Sequence, residues 1–132
     1  MATITPLVVI VGPTGSGKTD LALDIAEHFN GEIIAADSRT VYKGLDIGTA
    51  KPTIQQQQRV KHHLLDVVEP NERYTSWNFQ QQAKRAIDDI RQRDKIPFLV
   101  GGTGLYVDSI IFDYQLGPEY DSQLRQKLET YN

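Results

Sequence analysis

The sequence has no cysteine, and only one tryptophan and one methionine, among its 132 residues. Without cysteine the chain cannot form a disulfide, a thiolate metal site or a cysteine nucleophile, which fits a reducing compartment. Its longest apolar run covers residues 7–11, far short of the ~20 residues of a membrane-spanning helix. No basic region precedes that run and no cleavage site follows it, so we expect no signal peptide, a cytoplasmic location and no membrane partner.

The sequence also lacks an excess of basic residues. Lys and Arg number 14 against 17 Asp and Glu, a net charge of −3. Nucleic-acid-binding proteins usually carry a basic surface because they neutralise phosphates, so composition alone argues mildly against RNA binding. The length suits a single domain with a hydrophobic core, and we take residues 1–132 as one unit.

The order of apolar patterns indicates an α/β fold built on a parallel sheet. Residues 7–11 and 32–36 are short, β-branched runs typical of buried strands, and residues 18–29 between them have helical spacing. In that helix, Leu21, Ile25 and Phe29 mark the predicted apolar face, with Ala22 and Ala26 alongside. Strand, loop, helix and strand in this order form the repeating unit of a parallel sheet.

The second half of the chain continues the same alternation. Residues 64–68 suggest a third strand, and the segment before them, 39–58, is predicted as loop with short helical pieces. Thr75 or Ser76 is expected to cap a helix that runs to about Asp94. A strand at 96–100 and a helix at 103–112 follow. The apolar residues on one face of the long helix are Phe79, Ala83, Ala86, Ile87 and Ile90, and a last apolar stripe comprises Tyr120, Leu124, Leu128 and Tyr131.

A glycine-rich loop between the first strand and the first helix is the most informative motif. It matches the phosphate-binding pattern G-x-x-x-x-G-K-[ST]. Its glycines let backbone N–H groups turn inward as an anion nest, and the helix N-terminus adds partial positive charge. Lys18 would reach the terminal phosphates and Thr19 would ligate Mg²⁺. The loop consists of Gly12, Pro13, Thr14, Gly15, Ser16, Gly17, Lys18 and Thr19.

The phosphate loop does not by itself define a reaction, because ATPases, small-molecule kinases and GTP-binding proteins share it. Asp37 follows the second predicted strand, and in open α/β sheets ligands bind at the carboxyl ends of the strands. Asp37 is therefore a candidate general base, or equally a cap of the turn that follows it.

Three further segments resemble the tRNA dimethylallyltransferases. They occur in the order and with the spacing of that family, and the resemblance extends from Val9 to about Arg125. The combination is far more specific than a phosphate loop alone. The segments are residues 37–52 (DSRTVYKGLDIGTAKP), 62–70 (HHLLDVVEP) and 99–106 (LVGGTGLY).

The resemblance implies a P-loop NTPase-like α/β fold with a parallel sheet flanked by helices. It implies transfer of a dimethylallyl group from dimethylallyl diphosphate to N6 of the adenosine just 3′ of the anticodon, in tRNAs that read codons beginning with U. The phosphate loop would then hold diphosphate as a leaving group, with Mg²⁺ as cofactor and the anticodon stem-loop as partner. We expect a monomer.

The resemblance also assigns roles to single residues. Asp37 becomes the general base, and Asp37, Ser38, Arg39 and Thr40 match the segment that touches the flipped-out adenosine. Thr103 matches a catalytic position beside the RNA, although a threonine after two glycines is also a helix N-cap. Arg125 matches an RNA contact, and a solvated helix charge is an equal reading.

The greater length of the family members qualifies this hypothesis. The family continues well past Asn132 with an inserted helical domain that grips the anticodon stem, so we expect an incomplete sheet here and the basic RNA surface elsewhere. A small-molecule kinase and a non-catalytic phosphate-binding remnant remain alternatives.

His62 and His63 resemble metal ligands, but no nearby cysteine or acidic pair completes a site, so we interpret them as structural.

Overall fold

The computed structural model describes residues 6–12, 18–44, 51–102 and 104–112. Strands and helices alternate along these segments, which confirms the predicted α/β class. The elements in chain order are β1 (Val8–Val11), α1 (Lys18–His28), β2 (Gly31–Ala35), α2 (Ile54–Arg59), β3 (His62–His63), α3 (Ser76–Gln92), β4 (Ile96–Gly101) and α4 (Gly104–Ile111).

The four described strands form one parallel sheet in the order β1-β4-β2-β3. Val11 at the end of β1 pairs with Gly101, and Ala35 at the end of β2 pairs with Val100. The carboxyl ends of β1, β4 and β2 therefore meet at the same edge of the sheet. Gly12, which opens the phosphate loop, and Asp37 both leave the sheet at that edge.

Helices cover both faces of the sheet, and each face has its own core. Because side chains alternate along a strand, Ile33 and Phe98 point to one face and Ile34 and Leu99 to the other. On the first face the strands pack against α1, and on the second against α3 and α4. The molecule is thus a three-layer α/β/α arrangement.

The long helix α3 matches its prediction closely. Thr75 caps it by accepting a hydrogen bond from Asn78 N at 3.2 Å, while Asn78 Oδ1 accepts one from Thr75 N at 2.9 Å. The predicted apolar face is buried. Tyr106 of α4 packs on that face, with its ring stacked on Phe79 at 4.4 Å between centroids. None of the helices in the described segments has the length and apolar character needed to cross a membrane.

The predicted strand at 64–68 is wrong. The third strand is instead His62–His63, paired with Ile33 and Ile34. Leu64 and Asp66 adopt φ values of 66° and 54°, in the left-handed region that cannot continue an extended strand. The segment instead curls so that Asp66 N and Val67 N donate to the carbonyl oxygens of Thr40 and Val41, at 3.1 and 2.9 Å.

The predicted apolar face of α1 is also wrong in part. Leu21 and Phe29 are 52% and 55% exposed, whereas Ala22 and Ala26, which were predicted beside them, are buried together with Leu23. The stripe that faces the sheet is the one with two alanines. Small side chains allow the helix to approach β2 and β4 closely, and this tertiary contact outweighs the periodicity of the larger residues.

Candidate functional site

A cavity of about 40 Å³ lies on the α1 side of the sheet, at the carboxyl edge. Its polar lining comes from Thr19 in the first turns of α1, from Asp37 and Thr40 after β2, and from His62 in β3. The remaining wall includes apolar side chains, among them Ile33. An apolar cavity with a few converging polar groups is the usual form of a ligand site.

Asp37 is half-buried and lies two residues beyond the end of β2. Its Oδ1 accepts a hydrogen bond from Arg39 N at 2.8 Å, so it caps the turn that follows the strand. Asp37 also lines the cavity. Among the described residues, it makes no further hydrogen bond or ion pair. The two sequence interpretations, turn cap and reactive group, are therefore compatible in this geometry.

The segment after Asp37 divides between solvent and cavity. Ser38 and Arg39 are exposed, while Thr40 is only 3% exposed and lines the cavity. The Thr40 carbonyl accepts a hydrogen bond from Asp66 N at 3.1 Å. The turn is thus tied by its backbone to the loop after β3, which fixes where the Thr40 side chain lies.

At the end of β4, Gly101 approaches its neighbour so closely that only glycine fits, and the backbone at Gly102 is tightly packed. A Cβ atom on Gly101 would lie 2.0 Å from the carbonyl oxygen of Ala36, and one on Gly102 would lie 3.2 Å from that of Gly12. The two glycines therefore let β4 pack against the residues that lead into Asp37 and into the phosphate loop. In the sequence both glycines belong to the family-like segment 99–106, and nothing there predicted this close packing.

The structure tests the phosphate loop only at its ends. Gly12 follows β1, and Lys18 and Thr19 begin α1, which is the strand-loop-helix context that the motif requires. Residues 13–17, the side chain of Lys18, Thr103 and Arg125 lie outside what the structure describes, so their proposed roles stay predictions. The structure does bring Thr19, Asp37 and Thr40 to one cavity.

The two adjacent histidines have different surroundings. His63 Nε2 lies 2.7 Å from Oε1 of the buried Glu32, so it takes part in a structural contact as predicted. His62 points to the opposite face, where its Nδ1 lies 2.8 Å from the Val60 carbonyl oxygen and its ring lines the cavity. Burial is the main cause that lowers the pKa of His62. Periodicity could have placed the two rings on opposite faces only if β3 had been predicted correctly.

Glu32 anchors a charged cluster at the other end of β2. Arg93 donates to both of its carboxylate oxygens, with Nη2 to Oε1 at 2.8 Å, and also to Asp89 at 2.9 Å. These contacts, with the Arg93 hydrogen bond as the largest cause, lower the pKa of Glu32 to about 2. This carboxylate is held as a paired anion on the opposite face of the sheet from the cavity.

A parallel α/β sheet, in which the first strand leads through a glycine-rich loop to a helix N-terminus, defines a P-loop-type domain. The family model described as IPP transferase matches residues 40–132. The chain belongs to the IPP transferase family.

Named relatives agree with this assignment. A tRNA dimethylallyltransferase of Caldicellulosiruptor saccharolyticus is 55% identical over 124 residues, which cover 93% of this chain and 40% of the relative. The crystal structure of the full-length tRNA isopentenylpyrophosphate transferase of Bacillus halodurans superposes with a TM-score of 0.83 at 45% identity, over 98% of this chain and 43% of that one. A eukaryotic dimethylallyltransferase acting on tRNA gives a TM-score of 0.75 at 36% identity, over 87% and 31%.

The chain therefore spans about two fifths of the length of the curated relatives that it matches, 41% and 40% in two cases.

Proposed function

We propose that the protein containing this chain transfers a dimethylallyl group from dimethylallyl diphosphate to N6 of the adenosine just 3′ of the anticodon, in tRNAs that read codons beginning with U. The observation that carries the proposal is the shared cavity of Thr19 and Asp37. One belongs to the phosphate motif and the other to the segment that resembles the family's adenosine contact. The relatives are named as dimethylallyltransferases or isopentenylpyrophosphate transferases that act on tRNA, which supports the transfer of a prenyl group to tRNA. We place the reaction in the cytoplasm and the enzyme as a monomer.

The phosphate loop would bind the diphosphate leaving group. As the bond between the allylic carbon and the diphosphate oxygen breaks, negative charge grows on the diphosphate. The backbone N–H groups that the motif at residues 12–19 provides, the α1 N-terminus and Lys18 would stabilise that charge. The same groups would bind the charged donor in the ground state, so Lys18 is expected to affect both affinity and rate.

Magnesium fits the side chains present. The described residues contain no group of three or more His, Cys, Asp and Glu that could hold a metal by themselves. Mg²⁺ favours oxygen ligands, keeps several waters, and is commonly held by one or two protein groups together with phosphates. The Thr19 hydroxyl is the protein ligand that the motif provides. When bound, the ion would add positive charge beside the diphosphate.

Asp37 would accept the proton that adenosine must lose. The N6 amine forms a bond to the allylic carbon, the carbon–oxygen bond to diphosphate breaks, and the N6 proton passes to the Asp37 carboxylate. The exocyclic amine is a weak nucleophile, so removing its proton during attack lowers the barrier. The adenine must leave its stack to reach this edge of the sheet.

The RNA would be held by residues 37–40, Thr103 and Arg125. The net charge of −3 does not oppose this, because the chain spans about two fifths of the length of its relatives. Basic RNA contacts can therefore come from the rest of the protein, and we expect affinity for tRNA to depend mainly on that part.

The proposal is tested by Asp37→Asn in the intact protein, with an anticodon stem-loop, dimethylallyl diphosphate and Mg²⁺. Nucleosides are read by mass spectrometry. Loss of a general base costs about 10²–10⁴-fold in rate, while diphosphate affinity should be unchanged because the phosphate loop is intact. Asp88→Asn, an exposed aspartate on α3, is the matched control and should keep full activity. Full activity of Asp37→Asn would exclude Asp37 as the base.

The same assay separates the two alternatives. A small-molecule kinase would transfer phosphate from ATP and would not need the prenyl donor. A phosphate-binding remnant would bind diphosphate through Lys18 but yield no prenylated nucleoside under any condition. Formation of N6-dimethylallyl-adenosine by the wild type excludes both.

A further inference from the structure

Asp66 connects three segments of the chain that meet at the cavity. Its Oδ1 accepts a hydrogen bond from Lys51 Nζ, and its backbone N–H donates to the Thr40 carbonyl oxygen at 3.1 Å. Thr40, Leu65 and Pro52 all line the cavity, and the last two are chain neighbours of the paired residues. The contacts of Asp66 therefore join three parts of the cavity wall.

The ion pair between Lys51 and Asp66 is buried on the lysine side. The Lys51 side chain is 8% exposed and the Asp66 side chain 44%. Lysine is seldom buried, because its ammonium group loses hydration and needs a nearby anion in exchange. Water and salt screen a partly buried pair much less than an exposed one, so this contact holds the segment at Lys51 more firmly than a surface pair would.

The backbone at Asp66 has a left-handed conformation that joins its loop to the segment after β2. The φ of Asp66 is 54° and that of Leu64 is 66°. Most L-residues avoid this region, and Asn and Asp are among those that adopt it most readily. Beyond Asp66, Val67 N and Val68 N both donate to the Val41 carbonyl oxygen, at 2.9 and 3.1 Å. The loop thus grips the segment after β2 by consecutive backbone groups.

Asp37 lies three residues before Thr40, at the start of the segment that these hydrogen bonds hold. Its Oδ1 accepts a hydrogen bond from Arg39 N at 2.8 Å, so its carboxylate is fixed to its own turn. We propose that Asp66 is a positioning residue which, paired with Lys51, holds the turn of Asp37 at the cavity. The part that Asp37 plays there rests on the proposed function, whereas the coupling of the segments does not.

A second lysine–carboxylate pair joins the same two parts of the chain and provides a matched control. Lys43 Nζ lies 2.7 Å from Glu69 Oε1, and the two side chains are 51% and 53% exposed. Exposed pairs of this kind contribute little. Glu69→Gln removes the surface pair as Asp66→Asn removes the buried one. A difference between the two variants therefore reports the place of the pair and not the mere loss of a carboxylate.

The kinetic test uses both variants in the intact protein, with an anticodon stem-loop, dimethylallyl diphosphate and Mg²⁺. Asn keeps the shape and the left-handed tendency of Asp66 but has no charge to pair with Lys51. We expect Asp66→Asn to lower kcat about tenfold, within the loss of up to about 100-fold that a misplaced reacting group causes. The Kd for diphosphate should stay unchanged, since the phosphate loop is intact. Glu69→Gln should match the wild type in both measurements.

Two further comparisons distinguish positioning from general support of the fold. Lys51→Met removes the ammonium without leaving a buried unpaired charge, so it should lose as much kcat as Asp66→Asn, and the double variant should lose no more. In an Asp37→Asn background, measured in single turnovers, Asp66→Asn should cause no further loss, because no base is left to position. A further loss in that background, or full kcat in Asp66→Asn, overturns the proposal.

Amide hydrogen exchange tests the coupling without measuring activity. The amides of Val67 and Val68 should exchange about tenfold faster in Asp66→Asn and in Lys51→Met than in the wild type, because the loop opens more often once the ion pair is lost. Glu69→Gln should leave both amides unchanged. Unchanged protection in the first two variants overturns the proposal. If the amides respond as expected but the wild type forms no prenylated adenosine, the proposed function fails and the coupling stands.

Discussion

Replacing Glu32 with Gln should destabilise the sheet measurably, in a way that depends on pH. Glu32 is 3% exposed and accepts hydrogen bonds from Arg93 on both carboxylate oxygens, with His63 at 2.7 Å from Oε1. It joins β2 to β3 and to the C-terminal end of α3. Gln preserves the shape of the side chain and removes its charge, so the variant isolates the electrostatic part of the contact.

The pKa shift sets the size of the effect. The pKa of Glu32 falls from 4.5 to about 2, which corresponds to about 3 kcal/mol of folding free energy above pH 5. Because the Arg93 side chain is 36% exposed, water screens the pair, and Arg93 keeps its hydrogen bond to Asp89 at 2.9 Å in the variant. We therefore expect a loss of about 2 kcal/mol at pH 7.

The sign of the pH dependence follows from the lowered pKa. The stabilisation is complete above the usual pKa of 4.5 and is lost as pH falls toward about 2, because the folded state resists protonation of Glu32. The difference in stability between wild type and Glu32→Gln should therefore shrink between pH 5 and pH 3.

Hydrogen exchange of backbone amides in β2 and α3, corrected for the intrinsic rate at each pH, measures this difference in the intact protein. Glu27→Gln is the control, because Glu27 pairs with Arg59 on the surface and its side chain is 42% exposed. It should exchange like the wild type. Equal protection of Glu32→Gln and wild type at pH 7, or a difference that stays constant down to pH 3, would refute the reasoning.

The other predictions concern the site itself. Gly101→Ala should destabilise the protein by roughly 1–3 kcal/mol in thermal unfolding, because its Cβ would lie 2.0 Å from the Ala36 carbonyl oxygen. Gly104→Ala is the control and should not destabilise the protein, because nothing lies within 4 Å of the added Cβ. Equal melting temperatures of the two variants would contradict the packing at the end of β4. Lys18→Ala should weaken diphosphate binding in calorimetry, since it removes the one cation of the phosphate motif; unchanged affinity would sink the phosphate-loop assignment.

The sequence predicted the fold where one local pattern sufficed. The capped helix α3 and its apolar face combine a clear N-cap with strong helical periodicity, and the structure confirms both. The prediction of a strand at 64–68 failed because Leu64 and Asp66 adopt left-handed backbone angles, which the sequence did not predict. The prediction that Leu21 and Phe29 of α1 are buried failed because the buried face of a helix depends on how closely the helix can approach the sheet. That distance is a tertiary property.

The site was predictable to a similar extent. The proximity of Thr19 and Asp37 follows from the rule that strands of a parallel sheet present their carboxyl ends together, and the structure places both at one cavity. The place of His62 could not be predicted, because it depends on the register between β3 and β2. The need for glycine at position 101 arises from a backbone contact with Ala36 that only the pairing of β4 with β2 creates.

Two carboxylates, one in β2 and one in the turn after it, have different roles because they lie at different positions on the sheet. Glu32 and Asp37 are five residues apart, about 16 Å along an extended chain. Glu32 is buried against Arg93, which holds its pKa at about 2 and leaves it too weak a base to accept a proton from an amine. Asp37 makes no ion pair among the described side chains. Only one of its carboxylate oxygens, Oδ1, accepts a hydrogen bond within the turn, from Arg39 N. Of these two carboxylates, only Asp37, at the edge where the phosphate loop begins, is available as a proton acceptor. Glu32→Gln should therefore lower stability while leaving the transfer rate of the folded protein unchanged.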